Sequence, residues 1–305
     1  MSAPTDVNFL GLEGALADDA TAAASILPVP FERTTSYRKG TVHGPRALLQ
    51  ASTQVELFDP HFDGYPCAMG ISTLAPLVPA SDDMAAALDE IEAAARGPLE
   101  RRRLLVTVGG EHSLTLGPLR AAQSLFGDLG VVQFDAHADL RQTYDGTPFS
   151  HACIMRRVLD LGLPTAAVGL RSLSRAEAEL IRRRRLPVIW GHQLADAASR
   201  FDALLEALPP RVYLTFDVDY FDPSLLPATG TPEPGGGSWH PTLALLERLF
   251  TAKEVVAMDL VELAPIPGQP ASDFVAARLL YHCLGCYRRR IRGTAADPDL
   301  PVSED

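Results

Sequence analysis

Asp135, His137 and Asp139 stand at strict intervals of two in Phe134-Asp-Ala-His-Ala-Asp-Leu140, directly after the apolar run Leu129-Gly-Val-Val-Gln133. Carboxylate, imidazole, carboxylate at the end of a buried strand is a metal-ligand pattern. Two further strand ends carry similar chemistry. Leu104-Leu-Val-Thr-Val runs into Gly109-Gly-Glu-His112, and Val212-Tyr-Leu-Thr-Phe runs into Asp217-Val-Asp219. A fourth apolar run, Val255 to Val261, ends in Glu262. Any one of these has a bland reading, since a lone DxHxD or DxD serves many capped turns. Together, at the ends of separate strands, they point to a metal cluster.

Alternation along an extended chain places Asp135 and His137 on one side, and likewise Asp217 and Asp219. Asp135 and Asp139 would then lie about 13 Å apart, too far for one ion with bonds near ~2 Å. Either the chain bends there or the cluster holds more than one ion. Four aspartates and two histidines are many ligands for one ion, and the four carboxylates would neutralise two divalent cations. Oxygen-rich ligands with imidazole and no thiolate suit Mn²⁺ better than structural zinc, with Fe, Co or Zn as alternatives. Paired ions about 3.5–4 Å apart activate a water and clamp a tetrahedral intermediate. His151, beside Ser150, reads either as a capped helix-start residue or as a general acid/base near the metals. Glu262 reads either as a polar strand end or as the partner of a cationic substrate group.

The elements that must position these residues follow from short apolar runs alternating with helical patterns. Strands are expected at Ala23–Val29, Ala68–Thr73, Leu104–Gly109, Gly130–Phe134, Thr165–Leu170, Pro187–Trp190, Arg211–Val218 and Glu254–Val261. Helices are expected at Pro45–Ala51, Met84–Ala95, Gly117–Phe126, His151–Asp160, Arg175–Arg184, Arg200–Ala207, Thr242–Thr251 and Phe274–Arg292. Nearly all-apolar strands separated by helices imply a parallel sheet covered on both faces. Periodicity alone leaves an open doubly wound sheet and a barrel both possible. No linker splits the 305 residues, so a single domain over 1–305 is expected, with a frayed tail over about 294–305.

Composition narrows the function classes. With 27 Lys and Arg against 38 Asp and Glu, the formal net charge is −11, which disfavours nucleic acid or an anionic membrane as partner. The basic runs Arg101–Arg103, Arg182–Arg185 and Arg288–Arg290 suit helix ends. Four scattered cysteines make no disulfide framework, and Cys283-Leu-Gly-Cys286 reads as buried small residues on a helix. There is no signal-peptide pattern and no apolar window of ~18 residues. A cytoplasmic location is therefore expected.

The motifs as a set resemble the ureohydrolase family, which includes arginase, agmatinase, guanidinobutyrase and formiminoglutamase. The resemblance rests on Gly109–Thr115, Phe134–Leu140, Thr215–Pro223, Ala228–Gly236 and Asp259–Pro265, in order over about Ile26 to Tyr287, and is nearest to agmatinases. It implies one α/β domain with a central eight-stranded parallel sheet flanked by helices on both faces. It implies two Mn²⁺ ions per subunit. His112, Asp135, Asp139 and Asp217 would bind one ion, and His137, Asp135, Asp217 and Asp219 the other. A hydroxide between the ions, oriented by Asp139, would attack the guanidinium carbon. Glu262 would hold the guanidinium, Thr231 would lie close to it, and His151 would pass a proton to the leaving amine. A homo-oligomer, trimer or hexamer, is usual in the family.

Substrate choice turns on Leu140 to Ser150. Arginases carry an asparagine where Arg141 stands, and their loop is one residue longer. That argues against arginine and for agmatine, hydrolysed to putrescine and urea in polyamine biosynthesis. Arg141 could instead bind a carboxylate, which makes 4-guanidinobutyrate the alternative. Asp145 could meet a distal amine, but reads better as an exposed loop residue. Other classes fit less well. A single-zinc deacetylase needs no His112 or Asp139, a binuclear phosphatase does not match the motif order, and a non-catalytic guanidine binder would be expected to lack a ligand, His151 or Glu262.

Overall fold

The computed structural model describes residues 7–293, so the tail expected to fray lies outside the described residues. Eight strands build one sheet: β1 (Ala24–Val29), β2 (Ile71–Thr73), β3 (Leu104–Gly109), β4 (Gly130–Phe134), β5 (Thr165–Leu170), β6 (Val188–Trp190), β7 (Arg211–Asp217) and β8 (Glu254–Val261). Their spatial order is β2-β1-β3-β8-β7-β4-β5-β6, with every neighbouring pair parallel. The sheet is open, with β2 and β6 as its edges, so the doubly wound alternative holds and the barrel does not.

Helices cover both faces. α1 (Gly44–Ser52), α6 (Ala197–Glu206), α7 (Trp239–Ala252) and α8 (Ala271–Arg292) pack on one side; α2 (Met84–Glu100), α3 (Leu116–Phe126), α4 (Ile154–Asp160) and α5 (Arg175–Arg184) on the other. The central strands feed both layers. Val132, Phe134, Leu214 and Phe216 point into the first core, while Val131 and Tyr213 point into the second. That is why these strands read as continuous apolar runs.

The topology decides where the motifs meet. After β3 the chain crosses by α3 to β4, leaving a gap that β7 and β8 later fill. The four motif-bearing strands, β3, β8, β7 and β4, are therefore consecutive in the sheet, with their carboxyl ends side by side. Phe134 and Phe216 are register partners and stack with centroids 5.2 Å apart at 12°. The residues that follow them are Asp135 and Asp217, so the ring stack fixes the relative position of two carboxylates. Such a pair contributes about 0.5–1.5 kcal/mol beyond its area burial.

Some expected boundaries shift. The strand expected from Ala68 begins only at Ile71, because Pro66 starts a 3-10 turn over Pro66–Met69 and Gly70 turns out of it at φ +79°. α2 runs on from Ala95 through Pro98 to Glu100. The helix expected from His151 opens as a 3-10 turn over His151–Cys153, capped by the Ser150 side chain accepting from Ala152 N, before α4 begins. Cys283 and Cys286 are free and buried on α8, as their spacing on a helix suggested. Among the described residues no helix is long and apolar enough to cross a membrane.

Candidate metal centre and active site

The ligand motifs do not continue the strands, which corrects the expected alternation. β4 stops at Phe134, and the Asp135 side chain folds back to accept a hydrogen bond from His137 N at 2.6 Å. β7 stops at Asp217, whose Oδ1 accepts from Asp219 N at 2.8 Å as a 3-10 turn begins. Both are aspartate turns in which the side chain mimics the backbone acceptor that the strand has lost. Four residues beyond Asp135, Asp139 takes φ +51°. This left-handed kink is the bend that the long Asp135–Asp139 span demanded. Glu262 has φ +65° directly after β8. Positions of this kind cost about 1–3 kcal/mol each and persist where the surroundings enforce them.

Two ligand triads result, sharing Asp135. His112, Asp135 and Asp139 converge in one, and Asp135, His137 and Asp219 in the other. His112 Nδ1 lies 3.2 Å from Asp135 Oδ2, 3.0 Å from Asp139 Oδ2 and 3.4 Å from Asp217 Oδ2. His137 Nδ1 lies 2.8 Å from Asp219 Oδ2 and 3.8 Å from Asp135 Oδ1. All six side chains expected as ligands are thus brought together, and Asp217 adjoins the first triad.

The orientation of each ligand is set by neighbours. His112 Nε2 meets Thr215 Oγ1 at 2.8 Å, and that hydroxyl donates to Asp259 Oδ1 at 2.7 Å. Tyr213 donates to the other oxygen, Asp259 Oδ2, at 2.7 Å. With its proton held on Nε2, His112 turns the Nδ1 lone pair to the three carboxylates, and Nδ1 has no hydrogen-bond partner among the described residues. Gln133 donates to Asp135 Oδ2 at 2.8 Å and to His137 O at 3.1 Å. Ala136 N donates to Asp219 Oδ1 at 3.0 Å. Gly110 lets this region close, since a Cβ there would collide with Phe31 O.

Crowding of buried carboxylates governs the electrostatics. Burial, then the charges of Asp219 and Asp139, push the Asp135 carboxyl up to about 7. Burial and the charges of Asp219 and Asp135 raise Asp217 well above the carboxylate range. Burial opposes charge on His137, but Asp219, Asp135 and Asp139 outweigh it and draw the imidazole up to about 11. Burial would likewise raise Asp219, yet the His137 cation beside it holds that carboxyl down to about 2. A site that pulls protons so strongly onto its imidazoles holds excess negative charge. An orphaned imidazole lone pair among carboxylates, with a second such triad sharing an aspartate, fits two divalent cations.

A cavity of about 360 Å³ opens over this cluster. His137, Asp139, Asp217, Asp219, His151, Glu262, Thr231 and Arg141 all line it. Glu262 Oε1 accepts from His112 N at 2.7 Å. Oε2 faces the loop carrying Gly230, where a Cβ would stand 3.9 Å away. Burial is the main reason the Glu262 carboxyl is raised well above its ordinary value. His151 lines the cavity while also occupying its capped turn. Asp145 is exposed and Arg141 stands at the rim, its guanidinium 5.2 Å from the Tyr144 ring.

Several residues here were not singled out from sequence. Glu177 lines the cavity, caps α5 with Ser174, and accepts from Leu140 N at 3.0 Å, fixing the chain just past Asp139. Arg171 donates to the carbonyls of Asp219 at 2.7 Å, Glu233 at 2.9 Å and Pro234 at 3.1 Å. It ties a ligand turn to the loop that bears Glu233, another cavity residue. The signals for Asp259 and Thr215 lay within the Asp259–Pro265 and Thr215–Pro223 motifs; nothing local marks Glu177 or Arg171.

Open parallel sheet, strand-end carboxylates and paired ligand triads define the class as a metal-dependent α/β hydrolase. The model of the Arginase family matches residues 22–286, and the chain belongs to that family, whose members depend on a binuclear metal centre. It is a ureohydrolase of the agmatinase group. The chain is 42% identical over 278 residues to N(1)-aminopropylagmatine ureohydrolase of Synechocystis sp., covering 89% of this chain and 91% of that one. It is 33% identical over 267 residues to agmatinase of Pyrococcus horikoshii, covering 87% and 92%. The crystal structure of agmatine ureohydrolase of Thermoplasma volcanium superposes with a TM-score of 0.83 at 30% identity, covering 91% and 94%.

Proposed function

We propose that this chain hydrolyses the guanidinium group of agmatine to putrescine and urea. The observation that carries the reading is Glu262, a buried carboxylate facing the same cavity as both ligand triads. Two Mn²⁺ ions are the proposed occupants, held by His112, Asp135, Asp139 and Asp217 and by His137, Asp135, Asp217 and Asp219. When bound, they supply activated water and neutralise the crowded carboxylates.

The chain's own groups do the rest. Glu262 Oε2 accepts charge-assisted hydrogen bonds from the guanidinium and aligns its carbon over the cluster. Asp139 accepts a hydrogen bond from the attacking water and orients it. The new C–O bond forms, the C–N bond to the tail breaks, and His151 delivers the proton that the departing amine requires. Thr231 closes the guanidinium end of the cavity.

A second reading is hydrolysis of N(1)-aminopropylagmatine, the same guanidinobutyl unit with a longer cationic tail. Relatives at 42% and 38% identity carry that name. Glu233 favours a cationic tail in either case: it lines the cavity, and no side-chain partner occupies its carboxylate among the described residues. Arg141, exposed at the rim, is the residue a guanidino acid would need. Glu262→Gln tests the core of the proposal. It should retain metal and lose at least about 10³-fold in kcat/KM; near-normal turnover would remove Glu262 from the mechanism.

A further inference from the structure

Glu111, from the Gly109–His112 motif, is fully buried and is not a metal ligand in either triad. Its carboxylate is saturated with donors. Oε2 accepts from the backbone nitrogens of Arg33 and Thr34, the latter at 2.6 Å. Oε1 accepts from Thr34 Oγ1 at 2.7 Å and from Ser113 Oγ. The Thr34 hydroxyl proton is therefore committed to Glu111, which leaves its oxygen only able to accept. His151 N donates to it at 3.0 Å, and His151 Nδ1 lies 3.3 Å from it.

An acceptor at that position selects the tautomer of His151. Nδ1 must carry the hydrogen to satisfy Thr34. Ser150 Oγ, also 3.2 Å from Nδ1, has a rotatable hydroxyl that tolerates either tautomer, so Thr34 breaks the tie. Nε2 is then the basic nitrogen, and Ser36 Oγ reaches it at 3.3 Å. Tyr144 holds the ring edge-to-face, with centroids 5.7 Å apart at 86°.

We infer that Thr34 and Glu111 form a carboxylate–hydroxyl–imidazole chain that positions His151 with its Nδ1 protonated and its Nε2 free to take and give the reaction's proton. When Nε2 accepts that proton, the imidazolium charge is met through Thr34 by the Glu111 carboxylate. No proton need leave Glu111, so the chain positions and stabilises rather than relays. The inference rests on the proposed role of His151, and both parts can be tested apart. His112, Thr215 and Asp259 repeat the device at the metal site, where it frees Nδ1 instead.

Thr34 is the residue to change, because loss of the buried Glu111 could prevent folding. With Mn²⁺-loaded protein and agmatine, Thr34→Val should lower kcat about 10- to 100-fold with KM little changed. Thr34→Ser should restore it. In a His151→Ala background, Thr34→Val should cost nothing further. An equal loss in both backgrounds would make Thr34 merely structural and overturn the inference. The ring nitrogens of His151, read by ¹⁵N NMR in the Zn²⁺-loaded protein, should show the hydrogen on Nδ1, and Thr34→Val should relax that preference. Hydrogen on Nε2 in the unmutated protein would also overturn it. Hydrogen on Nδ1 with a fully active His151→Ala variant would uphold the positioning but refute the proton-transfer role.

Discussion

Thr215→Val removes one hydroxyl that joins two buried groups, and its effects can be separated. Thr215 Oγ1 donates to Asp259 Oδ1 at 2.7 Å and meets His112 Nε2 at 2.8 Å. Valine has nearly the same shape, so packing between β4 and β8 is kept. Asp259 retains the Tyr213 bond at 2.7 Å but loses its second, and His112 Nε2 loses its acceptor. Stranding buried polar groups costs about 1–3 kcal/mol, or roughly 2–4 °C of melting temperature per kcal/mol in a domain somewhat smaller than this one. Metal affinity should fall as well, because the imidazole is no longer held with its Nδ1 lone pair to the carboxylates. Such partners are worth about 10- to 100-fold in affinity. The assay is Mn²⁺ titration against a competing chelator, with thermal melts in parallel. Tyr213→Phe is the control: it strips the other oxygen of the same Asp259 but has no bond to His112. It should lower the melting temperature and leave Mn²⁺ affinity within about threefold. If both variants weaken Mn²⁺ equally, or neither does, the orienting role assigned to Thr215 is wrong.

Other outcomes follow from the same geometry. His137→Ala should lose metal and activity together, checked by metal analysis of the purified variant. Glu233→Gln should raise KM for agmatine about 1.5- to 5-fold yet leave a guanidino substrate without a tail charge unaffected; equal effects on both would take Glu233 out of tail recognition. His282 sits far from the metals in sequence and contact, facing His61, Phe62 and Glu247, with Nε2 3.8 Å from Glu247 Oε1. Burial pushes its pKa down to about 4; Glu247 and Asp59 oppose this and His61 adds to it. A depressed pKa means stability that is present above the unfolded value near ~6.5 and lost as pH falls through about 4. The loss is of order 3 kcal/mol. The metal-free His282→Phe variant should therefore melt with a shallower fall between those pH values than the unmutated metal-free protein. An identical fall would show that His282 does not titrate on unfolding.

Much of this architecture could be read from residue types. Val131-Val132 and Tyr213-Leu214 are adjacent apolar pairs, and that pattern means burial on both faces whichever strands are adjacent. β3, β4, β5 and β8 accordingly span the residues expected. Sheet order is not local: that β7 and β8 return between β3 and β4 depends on crossovers far apart in the chain. Within the site, ligand type and spacing pointed to Asp135, His137, Asp217 and Asp219, but not to the turns that place them. Asp135 and Asp217 accept from the backbone two residues on, which ends strand alternation, and Asp139 adopts a left-handed kink that no side-chain pattern encodes. Partners such as Thr34 with His151, or Thr215 with His112, lie about a hundred residues apart. A threonine carries no mark of such a role until the fold brings it to an imidazole.

Urea release by the Mn²⁺-loaded protein, measured side by side on agmatine, N(1)-aminopropylagmatine, arginine and 4-guanidinobutyrate, bears most directly on the central claim. Glu262 at the cluster and Glu233 along the cavity predict that the two amine-tailed substrates exceed both carboxylate-bearing ones by at least about 100-fold in kcat/KM. A preference for 4-guanidinobutyrate or arginine, or no urea from any of them with both metals bound, would contradict it.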